Sequence, residues 1–304
     1  MAQARANGIT LEYETFGNRQ SPPLLLIMGL GGQLVLWPED FCRALADAGY
    51  YVLRFDNRDV GLSTKFDSAR RPRLIRAALA ARLGFKVDAP YTLEDMAADT
   101  VGLLDALELP RAHVAGASMG GMIAQIVAAK YPRRVDSLTL IMSSSGNPRL
   151  PAPRLELQLR LVSKPPADDR ETLIRYSMQT WRLIGSPRYP PDETTLRAKV
   201  ERSYDRSSYR AGLARQTLAI MASGSRVPLL GRIEAPTLVI HGADDPLVPV
   251  AAGHELASRI PGARLHVIPG MGHDLPPALL PTFTDLIVQH AGEAEHANRS
   301  RNDH

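Results

Sequence analysis

The most constraining stretch of this chain is Gly116-Ala117-Ser118-Met119-Gly120. Arg111 to Ala115 ahead of it reads as a short strand, and Met119 to Tyr131 behind it as a helix stopped by Pro132. A serine between a buried strand and a helix sits on a tight turn that pushes its hydroxyl out of the sheet. Such a turn crowds backbone against its neighbours, so it needs residues without side chains. Gly116, Gly120 and Gly121 supply them.

The rest of the chain builds the sheet that this turn requires. Ile9 to Phe16 alternates apolar and polar residues and predicts an antiparallel edge strand. Leu24 to Met28 is an unbroken apolar run, as a strand covered on both faces demands. A helix is expected over 38–48, ended by Gly49, and a strand over 51–55. A helix over 93–107 opens at Thr92 with Asp95 three residues on, a capping arrangement. Strands over 135–142, 236–241 and 264–268 and helices over 250–259 and 277–290 continue the alternation. The fold class is α/β: a mostly parallel central sheet with helices on both faces.

Two stretches interrupt the pattern. Residues 66–91 set Arg70, Arg71, Arg73, Arg76 and Arg82 around Ile75, Leu79 and Leu83 at helical spacing. Residues 146–232 are rich in Pro and Arg and contain Trp181. Both follow sheet strands, so both are expected as lids at one end of the sheet. The division is then a core of 1–145 and 233–292, a helical cap of 146–232 packed on it, a second lid element at 66–91, and a polar flexible tail of 293–304.

Composition narrows the partners. With 304 residues, 44% hydrophobic and 22% charged, the chain can bury a substantial core. No run approaches 18 apolar residues, so no membrane span is expected. Met1 to Asn7 carries no apolar signal region and Cys42 is the single cysteine, which fits a reducing cytoplasm. The net charge of +4 comes from arginines without a dense basic block, so a solvated surface is expected and no nucleic-acid partner. No glycine-rich nucleotide loop or Cys/His metal spacing occurs, so no cofactor or metal is expected. The sequence does not fix an oligomeric state.

Ser118 alone is a poor nucleophile near neutral pH; it needs a base and an acid that orients that base. In an open α/β sheet these belong on loops at the carboxyl ends of strands. Two loops qualify: Gly242-Ala243-Asp244-Asp245-Pro246-Leu247-Val248-Pro249 and Pro269-Gly270-Met271-Gly272-His273-Asp274. The order Ser118, Asp245, His273 is the one that accompanies a serine on such an elbow, with Asp244 adjacent as a rival acid. His113, His241, His254, His266, His290, His296 and His304 lack this spacing and are expected in core or surface roles, with His241 near the site because its strand ends there. The tetrahedral oxyanion needs preorganised donors. The N–H of Met119 opens the elbow helix, where the dipole also favours negative charge.

With Gly-Ala-Ser-Met-Gly-Gly at 116–121, Gly-x-x-Asp-x-x-Val-Pro at 242–249 and Gly-His at 272–273, the chain resembles the α/β-hydrolase family over roughly residues 8–292. Met28-Gly29 and the run Phe55 to Ser63 are most similar to its bacterial carboxylic-ester hydrolases, such as the methylesterases. The resemblance implies Ser118 as nucleophile, His273 as general base and Asp245 as orienting acid. It also implies a second oxyanion donor from the loop after the third strand, the N–H of Leu30, with the register open by one residue because Met28 stands where many relatives have His. The alternative acid position of the family is occupied by Ser143-Ser144-Ser145. Residues 56–63 are expected to be structural, with Arg58 in an ion pair. Trp37, Met119, Met122, Met142 and Trp181 are candidate pocket walls.

The implied activity is hydrolysis of small to medium carboxylic esters through an acyl-enzyme. Carbon–carbon bond hydrolases of the fold commonly carry Trp after the histidine, where this chain has Asp274, and its aminopeptidases carry Trp after the nucleophile, where this chain has Met119. These and a non-catalytic ligand-binding relative are the alternatives.

Overall fold

Strands β1 (Ala2–Ala6), β2 (Ile9–Phe16), β3 (Pro23–Ile27), β4 (Tyr51–Phe55), β5 (Ala112–Ala117), β6 (Val135–Ile141), β7 (Thr237–Gly242) and β8 (Arg264–Ile268) form one sheet in the computed structural model. The structure describes residues 1–67, 74–83, 85–163 and 165–302. Arg70, Arg71 and Arg73, with the side chains of Ile75 and Arg82, lie outside the described residues.

The strand order is β1-β2-β4-β3-β5-β6-β7-β8. β1 and β2 pair antiparallel, as do β2 and β4; every later pairing is parallel. The expected edge strand at Ile9–Phe16 is therefore not an edge: β1 covers its outer side. Asn7 and Gly8 make the connection with φ of 48° and 80°. Two consecutive positive φ values are what a two-residue hairpin turn with the twist of the strands requires, and Asn-Gly is its usual sequence.

Helices α1 (Glu39–Asp47), α2 (Leu74–Arg82), α3 (Leu93–Ala106), α4 (Met119–Lys130), α5 (Leu155–Val162), α6 (Arg170–Ile184), α7 (Glu193–Arg206), α8 (Arg210–Ser223), α9 (Val227–Leu230), α10 (Ala251–Arg259) and α11 (Leu280–Asn302) complete the described chain. Alternate residues of β3 go to opposite faces. Leu25 and Ile27 join α3, α4 and α10 in one core, while Leu24 and Leu26 join Phe41 and Leu45 of α1 and Phe283 and Ile287 of α11 in the other. All four β3 side chains are fully buried. Each contributes about 1.5–3 kcal/mol by leaving water, which is why this strand reads as continuously apolar. The Thr92–Asp95 capping box closes in both directions at the start of α3.

Two terminal and lid expectations change. α11 runs to Asn302 rather than ending near 290, with Ala291 and Ala294 buried and Glu295 3.3 Å from His113, so most of the expected tail is helix. α2 packs against α8 through Ala77 and Leu218, with Val87 of the following loop in the same cluster, whereas Leu79 and Leu83 face solvent. Helices α5 to α9 lie between β6 and β7. Among the described residues no helix is long and apolar enough to cross a membrane.

Candidate active site

The elbow is formed as the glycines require. Ser118 joins β5 to α4 with φ 53° and ψ −117°, a conformation that side chains rarely adopt and that is held only where surrounding structure enforces it. A Cβ on Gly120 would collide with the Ile27 carbonyl, and one on Gly116 with the backbone of Gly120. The close packing of β3, β5 and α4 thus forces the backbone that exposes the serine.

The loops after β7 and β8 bring the other two groups to it. His273 Nε2 lies 2.9 Å from Ser118 Oγ, and His273 Nδ1 lies 2.7 Å from Asp245 Oδ2. The other Asp245 oxygen accepts the N–H groups of Leu247 and Val248 at 2.9 and 2.7 Å. These bonds hold a carboxylate that is buried, and fix the plane it presents to the imidazole. Asp244, the rival acid, turns away: its Oδ2 accepts the Gly270 N–H at 2.8 Å. His241 stands below the site, burial lowering its pKa, and its Nε2 donates to the Val248 carbonyl at 2.8 Å. It buttresses the Asp245 loop.

The loop after β3 lies against the serine. A Cβ on Gly29 would stand 3.1 Å from Ser118 Cβ and 3.7 Å from its Oγ. The Gly31 N–H is committed to Gln216 Oε1 at 2.8 Å. The N–H groups of Leu30 and Met119 have no intramolecular acceptor among the described residues. Two open amides beside a serine hydroxyl are an arrangement that can take up a negatively charged oxygen.

The pocket candidates separate. Met122 is half-buried in the first turn of α4, its N–H on the Ser118 carbonyl at 3.1 Å. Met142, φ 43°, closes β6 next to Ser143, whose hydroxyl donates to the Ser118 carbonyl at 2.8 Å. Trp181 is half-buried on α6, one turn before Ile184, whose carbonyl accepts the His273 N–H at 2.7 Å. Met119 is fully buried in the α3–α4 core. Trp37 does not belong with the pocket group. It is fully buried, stacked on Phe41 with centroids 5.9 Å apart, in the core layer under α1 and α11. Cys42 is in the same layer, its thiol pushed up to about 12 by burial, so it is a packing side chain rather than a nucleophile.

Several contributors carry no local sequence signal. Residues 56–63 tie α7 and α8 to the sheet. Asp56 accepts the Leu34 N–H at 2.7 Å and pairs with Arg206 at 2.7 Å. Asp59 pairs with Arg215 through two bonds of 2.8 and 2.9 Å and accepts the Tyr91 hydroxyl at 2.7 Å. Arg58, expected in an ion pair, forms it with Asp99 at 2.6 Å. Gln216 Nε2 donates to the Arg58 carbonyl at 2.8 Å. The α5–α9 segment is therefore fastened to the loops that follow β3, β4 and β8.

A family model described as alpha/beta hydrolase fold matches residues 22–276. The chain belongs to the α/β-hydrolase fold family. It is similar to a rhodomycin D methylesterase from Streptomyces sp. (strain C5), 30% identical over 304 aligned residues that cover 94% of this chain and 96% of the relative. A 3-oxoadipate enol-lactonase 2 of Acinetobacter baylyi is 27% identical over 86% of both chains. Among solved structures, the enol-lactonase from Burkholderia xenovorans LB400 superposes with a TM-score of 0.74 at 27% identity, covering 95% of this chain and 99% of that one.

Proposed function

We propose that the chain is a serine carboxylic-ester hydrolase acting on small to medium esters through an acyl-enzyme. The observation that carries this reading is the hydrogen-bonded line from Asp245 through His273 to Ser118, with two open amides beside the serine. Full-length similarity to a methylesterase and to enol-lactonases supports the ester as the bond cleaved.

Neutral His273 takes the Ser118 proton at Nε2 as Oγ attacks the ester carbonyl carbon. Asp245 keeps Nδ1 protonated and stabilises the imidazolium. The carbonyl oxygen becomes an oxyanion held by the Leu30 and Met119 N–H groups, the latter at a helix N-terminus. Collapse breaks the C–O bond, and His273 returns its proton to the leaving alcohol. Water then attacks the acyl-enzyme by the same route, His273 again taking the proton, and releases the carboxylic acid and free Ser118. The helices over the carboxyl ends of the strands act as a cap, with Trp181 on the cap side and Met122 and Met142 on the sheet side as the apolar lining.

A fluorophosphonate should label Ser118, and Ser118→Ala should lose on the order of 10³–10⁶ in kcat on methyl or p-nitrophenyl esters. Ester turnover retained in Ser118→Ala would overturn the reading. A series of p-nitrophenyl esters of rising acyl length then locates the size limit set by the cap.

A further inference from the structure

Helix α7 crosses the carboxyl end of the sheet with one face toward it. Ser203 and Arg206 on that face meet Gln33 in the loop after β3: Gln33 Nε2 donates to the Ser203 carbonyl at 2.6 Å, and its Oε1 accepts from Arg206 at 2.8 Å. Lys199 precedes Ser203 by four residues and Arg206 by seven, so it lies on the same helical face. Its Nζ sits over the Trp181 ring, 3.6 Å from the centroid. Trp181 in turn is one turn from the Ile184 carbonyl that holds the His273 N–H. Lys199 is bracketed by the loop that carries Leu30 and the loop that carries His273.

Its ammonium makes no ion pair among the described residues. The charged group that faces it is Asp274, on the His273 loop, and that carboxyl already accepts the Ser186 hydroxyl at 2.5 Å. From α6 it meets the face of Trp181; along α7, Arg202 one turn on pairs with Glu39 at 4.0 Å, and Arg206 two turns on is taken by Asp56. A half-buried cation without an anion is costly, and an aromatic face offsets only part of that cost. Burial accordingly pushes the Lys199 pKa down to about 8, with Asp274 opposing the shift.

We propose that Lys199 is a specificity-determining anion anchor: the ester bound at Ser118 carries a carboxylate on the part that extends beneath α6 and α7, and Lys199 receives it beside Trp181. This rests on the ester-hydrolase reading above. The anchor works while Lys199 is cationic, so the preference it creates is complete well below pH 8 and fades as the pH rises through that value. A bound carboxylate moves the midpoint upward, because an opposite charge favours the protonated amine.

The test compares monomethyl adipate with methyl hexanoate, which present the same methyl ester with and without a distal carboxylate. At pH 7 the wild-type protein should show about tenfold or greater preference in KM for the acidic ester, the value of one charge-assisted hydrogen bond. Lys199→Met should abolish that preference and leave the KM for methyl hexanoate within about twofold; Lys199→Arg should keep most of it. Equal effects on both esters, or no wild-type preference, would overturn the anchor. If neither ester is turned over and Ser118 takes no fluorophosphonate, the ester-hydrolase reading is what has failed. The anchor is then read in Ser118→Ala by tryptophan fluorescence. Saturable quenching by monomethyl adipate that disappears on adding Lys199→Met supports it, and quenching unchanged by that substitution, or none, overturns it.

Discussion

The Gly31 N–H donates to Gln216 Oε1 at 2.8 Å, joining the loop beside Ser118 to a helix that lies 185 residues further along the chain. The same amide group of Gln216 donates from its nitrogen to the Arg58 carbonyl. One side chain therefore sets the height of the β3 loop against both α8 and the β4 loop. If Leu30 supplies an oxyanion donor, its placement is inherited from Gln216.

Gln216→Ala should lower kcat about ten- to a hundredfold with a smaller change in KM, since loss of a whole oxyanion donor costs 10²–10³ and here the donor is displaced rather than removed. Steady-state kinetics on a methyl ester, with a thermal melt to confirm folding, checks this. A change confined to KM would assign Gln216 to substrate binding alone.

Asp245→Asn should reduce kcat by about 10⁴. With its oxygen kept by the Leu247 and Val248 N–H groups, the substituted amide turns its N–H to His273 Nδ1 and so favours the tautomer in which Nε2 carries the proton and cannot act as base. The Asp245 oxygen bonded to the Leu247 and Val248 N–H groups has a counterpart in Asn, so the fold should persist. A loss under tenfold would move the orienting role to Asp244, which the Gly270 contact argues against.

The elbow and the Ser118, Asp245, His273 order were legible because each depends on local rules: glycines where backbones touch, and loops at strand ends. β5 was read from its place ahead of the glycine turn, and β8 from the alternation of strands and helices. β1 was missed because the alternation of Ala2–Ala6 puts only alanines on its apolar face, a weak strand signal, although Asn7-Gly8 carried the hairpin signal. Trp37 was misplaced because a lone tryptophan has no period; its stacking on Phe41 decides its place. The continuation of α11 hid behind alanines, which are small enough to pack against the core within a polar sequence. The pairs Asp56–Arg206 and Asp59–Arg215 join residues about 150 apart, and no local pattern announces them.

Asp59 gives a pH dependence of stability. Burial by itself raises its pKa, but bonds from Arg215, the Phe66 N–H and the Tyr91 hydroxyl outweigh that and hold it below the usual carboxylate value. A depressed folded pKa contributes stability above the unfolded value of about 3.9, and that contribution is lost as the pH falls through the folded pKa. Asp59→Asn, which leaves Arg215 buried without its anion, should cost about 3–5 kcal/mol at pH 7. The gap in melting temperature between wild type and variant should narrow as the pH is lowered from 7 to 3. A gap constant over that range would mean that packing, not charge, holds this junction.

Ser118 pays a backbone penalty for its position, and that penalty can be measured apart from catalysis. With φ 53° and ψ −117° it occupies a region natural to glycine, where other residues carry about 1–3 kcal/mol of strain. Ser118→Ala removes the hydroxyl and keeps the strain, because its Cβ remains. Ser118→Gly removes both, at the expense of about 0.4–1 kcal/mol from a more flexible unfolded chain. Both variants should be inactive, and the glycine variant should be the more stable by about 1 kcal/mol in urea unfolding. The Ser118→Ala variant being equally or more stable would show that the surrounding glycines have relaxed the elbow enough for a side chain to sit there without strain.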